Sequence, residues 1–360
     1  QRWHEKADGK CAIDYGFHMA MTEWNQSLKA EMEGIVAGGI SSFKMYMAYK
    51  NNMMVQEDEI YDALEETKRL GATIGFHCEN GLLIDVLVKE ERAKGHLSPY
   101  YHPLTRPDVF EEEAIIRLEA VNYLLNAPHY VVHLSTAKGL SAIKCTRERG
   151  IGVIVETCPQ YLLLDSSRYG SASNDDFESA KYIISPPLRE RRDQEALWDG
   201  LVSGEIQFVG TDHCSFNFAG QKDMGRDDFS KIPGGAPGIE TRMHLLYAYG
   251  VAKGRMDINR YSVVTSTNAA QYFGLYPKKG ILQAGSDADI VVLDPNVEWT
   301  LTSDALHENC DYTPYEGFAM NGKIRDVFLR GRRKLASGKI VIEEADGQYL
   351  KRKLPNVDIR

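Results

Sequence analysis

The chain has 360 residues, of which 43% are apolar and 26% charged, and its net charge is −9. That length suits one large barrel or two domains of ordinary globular composition. The acidic balance, the lack of a basic stripe and the lack of any apolar run near ~18 residues argue against nucleic acid or a membrane as partner.

Six cysteines (Cys11, Cys78, Cys145, Cys158, Cys214, Cys310) are scattered without a CxxC pair. Free thiols in a cytoplasmic protein are the simplest reading.

Short apolar runs alternate with helical patterns along the chain. Strands are expected at 11–19 (CAIDYGFHM), 40–47 (ISSFKMYM), 71–78 (GATIGFHC), 129–135 (HYVVHLS), 150–158 (GIGVIVETC) and 206–214 (IQFVGTDHC). In QEDEIYDALEETKRLG, Ile60, Ala63, Leu64 and Thr67 share one face, acids crowd the first turn and Gly71 ends the helix. EEEAIIRLEAVNYLLNAP and AKGLSAIKCTRERG repeat the helical period. Strands alternating with helices predict a parallel sheet with helical crossovers.

No GxGxxG or GxxxxGK[ST] turn follows a strand, which turns the reading from an open doubly wound sheet to a (β/α)8 barrel. In a barrel, function sits at the C-terminal ends of strands. Here those ends carry His18, His77, His133, Glu156, Asp212 and His213. The stretch at 215–240, rich in Gly and Pro, is expected to loop over the site. After residue 280 the texture changes to short strands joined by Gly and Asp turns, which predicts a small all-β module. The expected division is a barrel domain at 1–280, a β-sandwich module at 281–345 and a tail at 346–360.

Lys44 is anomalous. Period-2 alternation puts it on the face opposite Phe43, Met45 and Met47. A solvated face is the ordinary place for a strand lysine, and a buried unpaired charge costs several kcal/mol. His77, His133 and Asp212 at three strand ends change the balance. Two imidazoles and a carboxylate suit Zn²⁺ or a similar divalent ion. An ammonium beside such ions is untenable, whereas a lysine carbamate is an anionic carboxylate that can bridge two metals.

FKMYMAY, GFHCEN, VVHLS, ETCPQYL, ISPPLR, GTDHCSF, KIPGGAPGIETR and GSDADIVVLDP, in that order, resemble the hydantoinase/dihydropyrimidinase family of the amidohydrolase superfamily. The resemblance runs through nearly the whole chain. It implies a TIM-type barrel with two divalent ions, expected to be Zn²⁺, and a carbamate on Lys44 as bridging ligand. It implies that His77 and His133 hold the second metal. Asp212 would bind the first metal and serve as general base, and Tyr49 would stabilise the oxyanion. Ser185 and the backbone around Gly234 would bind the substrate amide. The implied substrate is a small cyclic amide, either a dihydropyrimidine or a 5-substituted hydantoin, opened to an N-carbamoyl amino acid. The implied assembly is a homotetramer.

The sequence departs from the family at two points. Gly234 stands where the family usually has asparagine. The His-x-His pair of the first barrel strand is absent, and only six barrel strands are expected, with the Lys44 strand second among them although it is the family's fourth. We therefore expect the sequence to begin inside the barrel, without the first two strands. Two rival readings share most of these features: an allantoinase or dihydroorotase, which differs in the pocket, and a non-enzymatic, dihydropyrimidinase-like scaffold. His213 and Cys214 are expected to pack or support rather than ligate, and His18 to lie behind the ligands. Glu156 is expected to hydrogen-bond near the site.

Overall fold

A computed structural model describes residues 1–173, 177–353, 355, 356 and 359. Six parallel strands run in sequential order: β1 (Met19–Ala20), β2 (Ser42–Tyr46), β3 (Thr73–His77), β4 (His129–Val131), β5 (Ile154–Thr157) and β6 (Phe208–Val209). Helices such as Gln26–Ala37, Glu57–Leu70, Ala137–Glu148 and Arg191–Ser203 return the chain from each strand to the next. This repeated strand–helix crossover is what a parallel ladder requires. The architecture is a TIM-type barrel lacking closure: β1 and β6 do not pair with each other among the described residues.

The helix Glu57–Leu70 shows how local sequence sets an element. Gln56 and Glu59 form a reciprocal capping box, and Gly71 closes the C-terminus at φ 66°. Its inner face buries Ile60, Ala63 and Leu64 against the sheet. Phe43, Met45, Ile74, Phe76 and Val155 are wholly buried, each such side chain contributing about 1.5–3 kcal/mol of transfer energy. Register aligns Lys44 with Gly75 and Tyr46 with His77. At Gly75 a Cβ would meet the Tyr130 ring at 2.5 Å, so only glycine fits.

Strand positions match the expected order, but the ladders are shorter. The run 129–135 pairs only as far as Val131, and 206–214 only at Phe208–Val209. His133 (φ 40°) and Asp212 (φ 49°) have left-handed backbone, which cannot continue a ladder. The expected strand 11–19 is overturned except at Met19. Residues 11–18 carry one bridge, Tyr15 to Tyr349, and the aromatics of that run stack on Tyr349 instead of lining a sheet. The stretch 215–240 is not bare loop: single turns of 3-10 helix form at Lys222–Gly225 and Phe229–Lys231.

The later chain forms one antiparallel sheet in the order β10-β9-β8-β7. Its strands are β7 (Ile290–Leu301), β8 (Phe318–Leu329), β9 (Arg332–Ala336) and β10 (Lys339–Ile340). β7 and β8 have 12 residues each, longer than the short strands expected. The tail then returns to the barrel: Leu350 N–H donates to Tyr15 O (2.8 Å) and Arg352 N–H to Gly39 O (3.0 Å). Ile359 packs with Tyr130, Phe208 and Tyr272. All six cysteines are free. Among the described residues no helix is long and apolar enough to cross a membrane.

Candidate metal centre and pocket

The C-terminal ends of β3 and β4 bring two imidazoles together edge-on, with ring planes 72° apart. His77 Nδ1 lies 3.0 Å from His133 Nε2, and both residues are almost completely buried. His77 Nε2 is 2.7 Å from Glu79 Oε2, which also accepts from Arg106 Nη1 at 2.5 Å. Burial alone would raise the Glu79 pKa, but Arg106 and His77 outweigh it and hold the carboxyl down to about 2. An ionised carboxylate accepts only, so His77 carries its proton on Nε2 and presents a lone pair at Nδ1. Burial pushes the pKa of both histidines down, which keeps the imidazoles neutral. His133 Nδ1 is buried without a partner.

Two nitrogens on one divalent ion at about 2.0–2.1 Å span roughly 3–3.5 Å. The observed 3.0 Å therefore fits a shared cation. The carboxylate behind His77 is the usual support of a ligating histidine. Glu156 Oε1 accepts weakly from His133 N–H at 3.4 Å and so braces its strained backbone.

Lys44 lies half-buried beside this pair, its ammonium 5.2 Å from the Tyr46 ring centroid. Its charge is felt at His18, His77, His133 and Glu156. Burial pushes the Glu156 carboxyl up to about 7, with Lys44 opposing and Asp212 adding to the rise. Asp212 is on the same pole, but its carboxylate does not form a three-ligand group with the two histidines within 4.8 Å. The structure thus brings His77, His133, Lys44 and Asp212 to one end of the barrel, with only the two histidines in direct contact. His18, held neutral at about 3 mainly by burial, bonds Ser42 Oγ at 2.6 Å, behind Lys44. His213 Nδ1 accepts from Gly238 N–H (3.1 Å) and lies 3.8 Å from Glu308 Oε2.

Beside the histidines opens a cavity of about 330 Å³, lined by Tyr49, Arg106, Ser185, Gly234, Ile84 and Phe229 among others. Tyr49 sits at φ 69°, with its ring centroid 5.1 Å from that of His77 and Ser185 in hydrogen-bonding reach. Burial raises the Tyr49 pKa far above the phenol value, so the hydroxyl stays a donor. A Cβ at Gly234 would meet only Ser185 Oγ, at 3.6 Å. A side chain would fit there, and this chain leaves that space open.

The sequence matches the amidohydrolase family profile over residues 9–334. A D-hydantoinase of Geobacillus stearothermophilus is 44% identical over 353 residues, covering 98% of this chain and 74% of the relative. A solved structure of D-hydantoinase from a Bacillus sp. AR9 superposes with TM-score 0.96 at 45% identity, over 99% of this chain and 78% of that one. The dihydropyrimidinase of Brevibacillus agri NCHU1002 gives 0.95 at 44% identity, over 99% of this chain and 77% of that one.

The chain belongs to the amidohydrolase family.

It falls in the hydantoinase/dihydropyrimidinase branch that the motifs indicated. Within this amidohydrolase, Glu79, Arg106 and His102 were not singled out from sequence. Glu79 lies two residues past His77 and was visible in GFHCEN, where an acid after a strand-end histidine is a usable signal. His102, in the turn Tyr101–Leu104, and Arg106, just past it, reach the site only through the fold. His102 Nε2 bonds Ile184 O at 2.8 Å and braces the wall next to Ser185. Larger clefts exist elsewhere in the amidohydrolase, of about 490, 510 and 700 Å³, but none is lined by Tyr49, Arg106 or Ser185.

Proposed function

We propose that this amidohydrolase opens the ring of a cyclic amide, a dihydropyrimidine or a 5-substituted hydantoin, to give an N-carbamoyl amino acid. The observation that carries the reading is the pair of facing imidazole nitrogens, with His77 held by Glu79, beside a cavity that contains a protonated tyrosine.

His77 and His133 would hold one divalent ion, and Asp212 with a carbamate on Lys44 the other; zinc suits this donor set. Such ions supply water of near-neutral pKa and polarise a carbonyl. The chain's own residues do the rest. Asp212 takes the proton of the attacking water and delivers it to the ring nitrogen as that bond breaks. Tyr49 donates to the carbonyl oxygen as charge develops there, a donor worth about 3 kcal/mol in comparable sites. Ser185 and the backbone at Gly234 orient the ring amide. The named relatives act as D-hydantoinase and dihydropyrimidinase, which supports the substrate class. The division into barrel (1–280), β module (281–345) and tail (346–360), and a homotetrameric assembly, are part of the same proposal.

The test is a substrate panel with the purified full-length protein: dihydrouracil, 5-substituted hydantoins, allantoin and dihydroorotate, each with and without chelator. Chelator-sensitive release of an N-carbamoyl amino acid from either of the first two supports the reading. Turnover confined to allantoin or dihydroorotate, or no turnover by metal-loaded protein, overturns it.

A further inference from the structure

Lys222 is fully buried in the turn Lys222–Gly225. Its Nζ donates to two backbone carbonyls, Ile183 O and Pro233 O, each at 2.7 Å. Among the described residues no carboxylate pairs with it: burial pulls its pKa down to about 7, opposed by Cys214. A buried amine without a counter-ion is expensive, so its place in the fold calls for a reason. Neutral or charged, lysine has at least two hydrogens to donate, so both carbonyl bonds survive deprotonation.

The two carbonyls identify what it holds. Ile183 stands two residues before Ser185, and Pro233 immediately precedes Gly234. Ser185 and Gly234 both line the cavity, close enough that a Cβ at Gly234 would lie 3.6 Å from Ser185 Oγ. The segments are also tied directly, because Gly235 N–H donates to Ile183 O at 3.0 Å. Gly235 has φ 136°, and a Cβ there would come within 2.5 Å of Cys214 Cβ, so the crossing point has no slack on that side. Lys222 closes the other side. It does not line the cavity, and it touches neither histidine.

We propose that Lys222 is a positioning residue for substrate: by bonding Ile183 O and Pro233 O it fixes how the adjacent Ser185 and Gly234 segments sit against each other, and with it the fit of the ring amide. This rests on the reading of the cavity as the cyclic-amide pocket. A residue that acts on ground-state fit alone changes KM with little change in kcat. The metal ligands lie on other strands, so metal content stays the same.

The experiment compares wild type with K222M, which keeps a long side chain and removes the donors, and with K222Q, which restores two donors on a shorter stem. Readouts are kcat and KM for the best substrate of the panel, bound metal per chain, and amide hydrogen exchange of peptides covering 183–185 and 233–236. For K222M the expected result is KM raised at least tenfold, kcat within threefold, unchanged metal, and exchange faster by tenfold or more in those peptides alone. K222Q is expected to recover part of the KM. KM within twofold of wild type in K222M, or a fall in kcat together with metal loss, overturns the proposal. So does failure of both variants to fold, which would make Lys222 a residue of global stability. If wild type opens no cyclic amide, the functional reading fails separately, and the exchange of the two peptides still decides whether Lys222 joins them.

Discussion

Two clusters of ionisable side chains in this molecule differ in how far their polar groups are satisfied. Asp14, Asp287 and Asp289 place three carboxylates within 4.8 Å of one another, the spacing of a cation site. That cluster is already filled. Lys279 Nζ pairs with all three, at 2.6 Å to Asp14 and 2.8 Å to Asp287, and Arg330 pairs with Asp14. Gln348 N–H adds a bond to Asp14 at 2.9 Å. The result bolts the N-terminal segment, the start of the β module and the tail together. The histidine pair has fewer charged groups and more unmet demand: two imidazole nitrogens share one hydrogen bond at 3.0 Å, and a third nitrogen, His133 Nδ1, is buried without a partner. A metal site is recognised by donors left unsatisfied, and density of acids is a poor guide.

The sharpest way to break that comparison is to remove a ligand. His133→Ala is expected to lower bound metal by about one ion per chain and kcat/KM by 10³-fold or more, since the ions proposed there would supply the activated water. Elemental analysis and the hydantoin assay check it; full metal occupancy in the variant would place the ion elsewhere. Glu79→Gln comes next. It weakens the hold on His77 Nε2 and is expected to cost 10–100-fold in metal affinity or activity. It also strands Arg106, whose guanidinium side chain is 10% exposed, at a stability cost of about 3–5 kcal/mol. The pH dependence has a definite sign. The Glu79 pKa in the folded chain, about 2, lies below its ordinary 4.5. Its contribution is therefore complete above about pH 5 and is lost as pH falls toward 2. Wild-type Tm should fall faster than that of Glu79→Gln across that window; parallel curves would mean the carboxylate is not ionised in the fold.

The order of strands, the barrel class and the residues at strand ends were legible because period and polarity are local signals. Lys44 stood out as a cation in an apolar strand, and the structure keeps it half-buried at the same pole as the histidines. What escaped was set by tertiary contact. CAIDYGFHM has the alternation of a strand, yet Tyr15 and Phe17 pack on Tyr349, more than 300 positions later. The ladders end early because His133 and Asp212 adopt left-handed backbone, a strain that clusters at functional sites and has no signature in composition. Arg106 reaches Glu79 across 27 positions, and Lys222 reaches Ile183 across 39. No local period encodes such pairings.

The smallest effect should come from the saturated cluster. Asp14→Asn keeps the shape and removes one of three carboxylates facing Lys279. Burial raises the Asp14 pKa, but Arg330 and Lys279 more than offset it, so the native group is an ionised acceptor in a cation-rich setting. Its loss leaves Arg330 without that carboxylate and weakens the Gln348 contact, at about 1–3 kcal/mol. Lys279 retains Asp287 and Asp289. Thermal unfolding should register a lower Tm, while metal content and kcat/KM stay within twofold of wild type. Loss of a metal ion in Asp14→Asn would mean that this cluster binds one after all, and that the contrast between a filled and an unfilled site had been drawn the wrong way round.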